Sequence, residues 1–284
     1  MIMNNVFIGT SGYDYPEWKG VFYPDDLKRK DFLSYYAKQF NALELNNTFY
    51  SMPTAERLTS FYDRSGGLLQ FSIKANRLLT HEIDRNWQAA ANTFISAIEP
   101  LAEKESLCAV LFQFPQSFHY TSENRIYLAK LIAEFQNFPV VIEFRHVEWI
   151  KDSVLRGLEE RGSSLCFCDM PQLKALPNLA LSTGSDNAGT PFVGPIAYIR
   201  LHGRNADAWY TADADKSEVA TDVAGNSQNG SARYTYDYSD AELSEFVPVI
   251  KSAVITGKRP LVFFNNHPNG SGARNAGKLK ELLQ

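Results

Sequence analysis

One feature constrains this chain more than any other. A short apolar run that turns polar at its end recurs roughly every thirty residues. The runs are 6–12, 42–50, 69–75, 108–114, 140–146, 165–170, 196–203 and 260–266. The first seven start 25 to 39 residues apart, and the eighth follows after 64. Such spacing leaves room for a crossover helix between parallel strands.

Helical patterns fill most of the gaps. Segment 30–40 places Phe32, Leu33, Tyr36, Ala37 and Phe40 on one face, and 86–104 carries Trp87, Ala90, Ala91, Phe94, Ile98 and Leu101 at helical spacing. Segments 123–135, 148–161, 240–256 and 273–283 behave alike, and 54–62 is shorter. Asp240 reads as an N-cap, with Leu243 entering the apolar face and Gly257 as the stop. Segment 171–195 is rich in Pro, Gly, Ser and Asn, so the sixth crossover is expected to be irregular, with at most one short helix. Segment 205–232 is polar and nearly free of large aliphatics, and reads as a loop inserted after the seventh strand.

Eight strand–helix units in 284 residues predict an α/β fold of the (β/α)8 TIM type, as one domain over 1–284. The rival is an open doubly wound sheet. That fold often carries a GxGxxG turn after its first strand, whereas this chain has Gly9-Thr10-Ser11-Gly12.

Composition narrows the function classes. At 44% hydrophobic residues the chain can bury a sizeable core, which excludes global disorder. A net charge of −4 gives no field to hold nucleic acid non-specifically. Three cysteines without a CxxC pair make neither a disulfide framework nor a zinc knuckle, and point to a reducing, cytoplasmic setting. Residues 1–12 lack the basic and apolar regions of a secretory signal, and no apolar run is long enough to span a bilayer. The expectation is a soluble protein without a membrane partner.

Strand side chains alternate between two faces, and a barrel's active site lies at the C-terminal mouth. The inward positions read from the strand ends are Thr10; Glu44, Asn46 and Thr48; Ser72 and Lys74; Gln113; Glu143 and Arg145; Asp169; Tyr198, Arg200 and His202; and Asn265 or Asn266. Every strand becomes polar at the same end, a costly pattern unless the charges are paired or used. Pairing alone, as of Glu143 with Arg200, would serve only to close the barrel. Lys74, Arg145 and Arg200 face Glu44, Glu143 and Asp169, and Arg204 and Arg233 lie nearby. Such a mouth suits a polar small molecule with an anionic group, because arginine grips carboxylate or phosphate through two bonds.

Glu44, Glu143, Asp169, His202 and His267 could together ligate a metal. Three cations in the same mouth and an Asn265-Asn266 ending disfavour it, so no metal or other cofactor is expected. Cys166 and Cys168 read as small core residues. His202 has the inward parity, and His81 follows the third strand within reach of the mouth. His146 reads as structural, His119 as solvated, and His267 as undecided. Tyr13, Tyr15, Trp18, Phe49, Tyr50, Tyr234, Tyr236 and Tyr238 cluster near the mouth, where they either stack on a ligand or pack the loops.

These residues also resemble a known family. Gly9-Thr10-Ser11-Gly12-Tyr13 with Trp18-Lys19-Gly20 and Phe22-Tyr23-Pro24, Glu44-Leu45-Asn46-Asn47-Thr48-Phe49-Tyr50 with Pro53, Lys74 with Thr80-His81, and Phe112-Gln113-Phe114-Pro115 are similar to the YecE-like barrel proteins. So are Glu143-Phe144-Arg145-His146 with Trp149, Tyr198 to Arg204, and Phe264-Asn265-Asn266 with Ala273 and Asn275-Ala276. The resemblance runs from about residue 7 to 280. It implies a TIM-barrel-type fold and supplies no reaction, since the family is a domain of unknown function.

The functional expectation is an enzyme acting on a small anionic or phosphorylated, polyhydroxylated substrate. Glu44 or Glu143 would be the base and His202 or His81 the acid, with Asp169 beside them. Thr10, Asn46, Lys74, Gln113, Arg145, Arg200, Asn265, Asn266 and Tyr236 would bind substrate. The alternatives are a metal-dependent, apurinic-endonuclease-like barrel, disfavoured by the absence of a basic rim, and a non-catalytic metabolite-binding protein. Gly270 and Gly272, leading into the last helix, predict an anion site over 266–275.

Overall fold

A computed structural model describes residues 5–177, 179, 191–207, 209 and 234–284. Eight parallel strands close into a barrel in sequence order: β1 (Phe7–Ser11), β2 (Ala42–Leu45), β3 (Gln70–Lys74), β4 (Leu107–Gln113), β5 (Val140–Glu143), β6 (Ser164–Asp169), β7 (Ile196–Leu201) and β8 (Arg259–Phe264). β1 pairs with both β2 and β8, so the first and last strands seal the ring. The TIM-type expectation holds and the open-sheet rival is excluded.

The crossover helices are α1 (Phe32–Gln39), α2 (Ala55–Arg64), α3 (Trp87–Glu103), α4 (Ser122–Glu134), α5 (Asp152–Glu159) and α6 (Asp240–Ile255), and α7 (Ser271–Leu283) follows β8. None of the helices among the described residues is long and apolar enough to cross a membrane. The described parts of the sixth crossover contain no helix, and the rest lies outside the described residues, as does nearly all of the expected 205–232 insertion and Arg233.

Two boundaries differ from expectation for local reasons. Asp240 does not cap α6. Ser239 does, in a reciprocal box: its hydroxyl accepts from the Glu242 amide, and the Glu242 carboxylate accepts from the Ser239 amide. Segment 148–161 is helical only from Asp152, because Val147–Trp149 first forms a 3-10 turn capped by His146.

The alternation of strand side chains builds two cores. Ile8, Leu43, Phe71, Ile73, Phe112, Ile142, Phe167, Ile199, Val262 and Phe264 face the helices. Ala42, Ala109, Leu111, Val141, Cys166, Cys168, Tyr198, Leu261 and Phe263 fill the barrel. This division settles which polar residues point inward.

Candidate functional site

The interior parity runs through Ser11, Glu44, Lys74, Gln113, Glu143, Cys168, Arg200, His202 and Asn265. Two expected members lie on the other face. Thr10 turns outward, where its hydroxyl and amide both meet the Tyr36 hydroxyl at 3.0 and 2.8 Å. Ser11 takes the inward place and donates to Glu44 at 2.6 Å. Asp169 likewise yields to Cys168. It accepts from the Tyr238 hydroxyl at 2.6 Å and from Arg204 Nε at 3.0 Å, at the outer edge of the sheet.

A chain of four buried charges crosses the barrel. Arg200 Nη2 donates to Glu44 Oε1 and its Nη1 to Glu143 Oε2, each at 2.7 Å. Arg145 Nε donates to Glu143 Oε1 at 2.5 Å. Tyr198 donates to Glu44 Oε2 at 2.6 Å, and Ser72 therefore donates to Tyr198 at 2.7 Å. Every oxygen of both carboxylates thus has a donor. Burial pushes the Glu143 carboxyl up, but Arg145, Arg200 and His202 outweigh it and hold it well below the usual carboxylate range. In this arrangement Glu143 holds both arginines and Glu44 holds Arg200.

His202 is fully buried at the end of this chain. Arg145 Nη2 lies 3.3 Å from its Nε2 and the Asn265 amide 3.1 Å from its Nδ1. A neutral imidazole has one acceptor nitrogen. The Arg145 guanidinium faces Nε2 and the Asn265 amide nitrogen faces Nδ1. Trp209 and Tyr234 place ring centroids 6.3 and 5.8 Å from the imidazole. Sequence reasoning missed Trp209; its signal was a tryptophan beside Tyr210 in an otherwise polar stretch.

Lys74 sits at the end of β3 with its ammonium 4.4 Å from the centre of the Phe49 ring. His81 meets the same ring edge-on at 4.7 Å. Asn46 and Thr48 escape the strand argument, because β2 ends at Leu45 and Asn47–Phe49 is a 3-10 turn. Thr48 binds the carbonyls of Leu45 and Lys74 and so locks that turn. Among the described residues, Asn46 Oδ1 and Gln113 Oε1 are buried acceptors without a hydrogen-bond partner.

Other expected binding residues are spent on structure. Asn266 donates to the carbonyls of His202 and Tyr234. Tyr236 donates to Glu242, and burial and that carboxylate push its phenol up to about 12. Arg204 is held by Asp169, Glu242 and Glu245, so it does not tip the mouth positive. Tyr13, Tyr15 and Trp18 pack the first loop: Tyr15 stacks on His267, and Trp18 donates to the His267 carbonyl. The expected anion site over 266–275 is not built. The amides of Gly270, Ser271 and Gly272 already donate to His267, Pro268 and Asn266, and Arg274 turns to Asp237 and Asn269. Gly272 serves close packing, since a Cβ there would lie 3.1 Å from the Asn266 carbonyl oxygen.

Glu143, Cys168 and His202 could each bring one ligand atom within 4.8 Å of the others. Both Glu143 oxygens are engaged by guanidinium groups, whose charge opposes a cation at that point.

Residues 7–284 match the family model described as a protein of unknown function, DUF72. The chain belongs to the DUF72 family. The DUF72 chain is 25% identical to the UPF0759 protein YunF of Bacillus subtilis, over 98% of its own length and 94% of YunF. It is 24% identical to the UPF0759 protein YecE of Escherichia coli over 58% of its length and 59% of YecE. A crystal structure of a DUF72 family protein from Thermotoga maritima superposes with a TM-score of 0.81 at 30% identity, over 98% of both chains. A second, from Enterococcus faecalis, gives 0.77 at 23% identity over 98% and 95%.

Proposed function

We propose that this DUF72 chain is a cytoplasmic enzyme acting on a small anionic, polyhydroxylated molecule, such as a sugar phosphate, at the C-terminal mouth of its barrel. One observation carries this reading: the buried chain Glu44–Arg200–Glu143–Arg145 ends with a guanidinium 3.3 Å from His202 Nε2. A barrel needs no such row merely to close, since well-packed apolar residues would serve as well.

Among the described mouth residues, Lys74, Arg145 and Arg200 exceed Glu44 and Glu143 by one positive charge, which favours an anion. Gln113 Oε1 and Asn46 Oδ1 are acceptors suited to substrate hydroxyls. His202 Nε2 would take a proton from the substrate, and Arg145 would stabilise the oxyanion that this leaves. Trp209 and Tyr234 must swing aside for substrate to reach that nitrogen.

The test is a thermal-shift screen of sugar phosphates and sugar acids, followed by calorimetry and turnover assays on any binder. Lys74→Ala and Arg145→Ala should each weaken binding roughly tenfold or more, by removing a charge-assisted contact. His202→Gln should bind but not turn over. Binding without turnover in the native chain would make it a metabolite receptor. Binding indifferent to both cation variants would overturn the site.

A further inference from the structure

We propose that the barrel rim carries a zinc(II) site, distinct from the mouth, formed by His119, His146 and Glu148. His119 lies between β4 and α4, and the other two lie between β5 and α5, so two separate loops bring the donors together. His119 Nδ1 is 3.4 Å from Glu148 Oε2, and His146 Nδ1 is 3.6 Å from the same oxygen. One ligand atom from each residue lies within 4.8 Å of the other two. A tetrahedral zinc with bonds of about 2.0–2.2 Å has ligands roughly 3.3–3.6 Å apart. Two of the three edges therefore already have the required length.

The donor set fits the ion. Two imidazoles and a carboxylate suit zinc, and three protein ligands leave a fourth position for water or an exchangeable ligand. The Glu148 amide donates to His146 Nδ1 at 3.3 Å, so that ring holds its proton on Nε2 and presents a lone pair at Nδ1. Zinc would replace this weak cap bond. The Tyr120 amide donates to Glu148 Oε2 at 3.3 Å, orienting the carboxylate. Ligation through His119 Nδ1 places that ring's proton on Nε2, as already holds for His146.

Isothermal titration of the tag-free, chelator-stripped full chain with zinc chloride tests this. The expected result is saturable binding of one zinc per chain. His119→Ala and Glu148→Gln, both at exposed positions, should each weaken binding roughly tenfold to a hundredfold. Cobalt(II) should give the visible bands of a four-coordinate site in the native chain and lose them in both variants. Cys168→Ser separates this site from the interior Glu143, Cys168 and His202 set and should leave zinc binding intact. The proposal falls if zinc does not bind saturably, if both rim variants bind as the native chain does, or if Cys168→Ser abolishes binding.

Discussion

Glu143 shows how a carboxylate at a strand end can tie a barrel together. Its two oxygens each hold one arginine, and the residue is fully buried. Removing its charge leaves Arg145 without its 2.5 Å partner and Arg200 with Glu44 alone. Breaking a buried pair from one side typically costs about 3–5 kcal/mol. Glu143→Gln should therefore lower the urea-unfolding free energy by about that much, a fold-level effect larger than the sequence pattern implies. Arg145→Ala should cost less, because Arg145 retains some exposure and Glu143 keeps its bond to Arg200. Equal losses in the two variants would show that the chain of charges acts as one rigid unit.

At the scale of elements, the alternation along β7 was legible because Ala197, Ile199 and Leu201 are plainly apolar, which leaves Tyr198, Arg200 and His202 inward. The strand ends were harder. Thr10 and Ser11 are both polar, as are Cys168 and Asp169 in part, so nothing in the sequence says which neighbour points in. What decides it is the Tyr36 hydroxyl outside β1 and the Tyr238 hydroxyl outside β6. Asn46 and Thr48 were misplaced because β2 stops after four residues and tightens into a 3-10 turn. The eight-unit rhythm survives such slips, since it depends on spacing rather than on any single side chain. Gly9 is a place where β1 tolerates no change. A Cβ there would sit 1.9 Å from the Ala42 carbonyl oxygen and 2.7 Å from the Tyr36 hydroxyl, against a backbone that cannot yield. Gly9→Ala should cost at least about 1–3 kcal/mol by overpacking. A thermal melt matching the native chain would refute the fit. At the start of α6, Ser239→Ala should cost about 1 kcal/mol by opening the capping box, read from the same melts.

For the molecule as a whole, the ring of strands closes around an apolar core with a row of buried charges at its C-terminal end, and this gives the barrel a built-in acid sensitivity. Glu143 bridges β5 to β7 through Arg200, and Glu44 joins β2 to β7 through the same side chain. The folded Glu143 carboxyl is held well below its ordinary value of 4.5, because the guanidinium charges outweigh burial. The unfolded chain therefore takes up a proton at Glu143 at a higher pH than the folded chain does. The stability this residue supplies is fully present above about pH 5 and is lost progressively as pH falls below 4.5 toward the folded value. Urea-unfolding free energies measured from about pH 7 down to about pH 3 should fall with a slope that includes one extra proton taken up on unfolding. In Glu143→Gln the curve should start lower and lack that proton, so the native and variant curves converge in acid. Parallel curves would mean that Glu143 titrates alike in both states, and that the buried chain of charges does not hold the barrel closed.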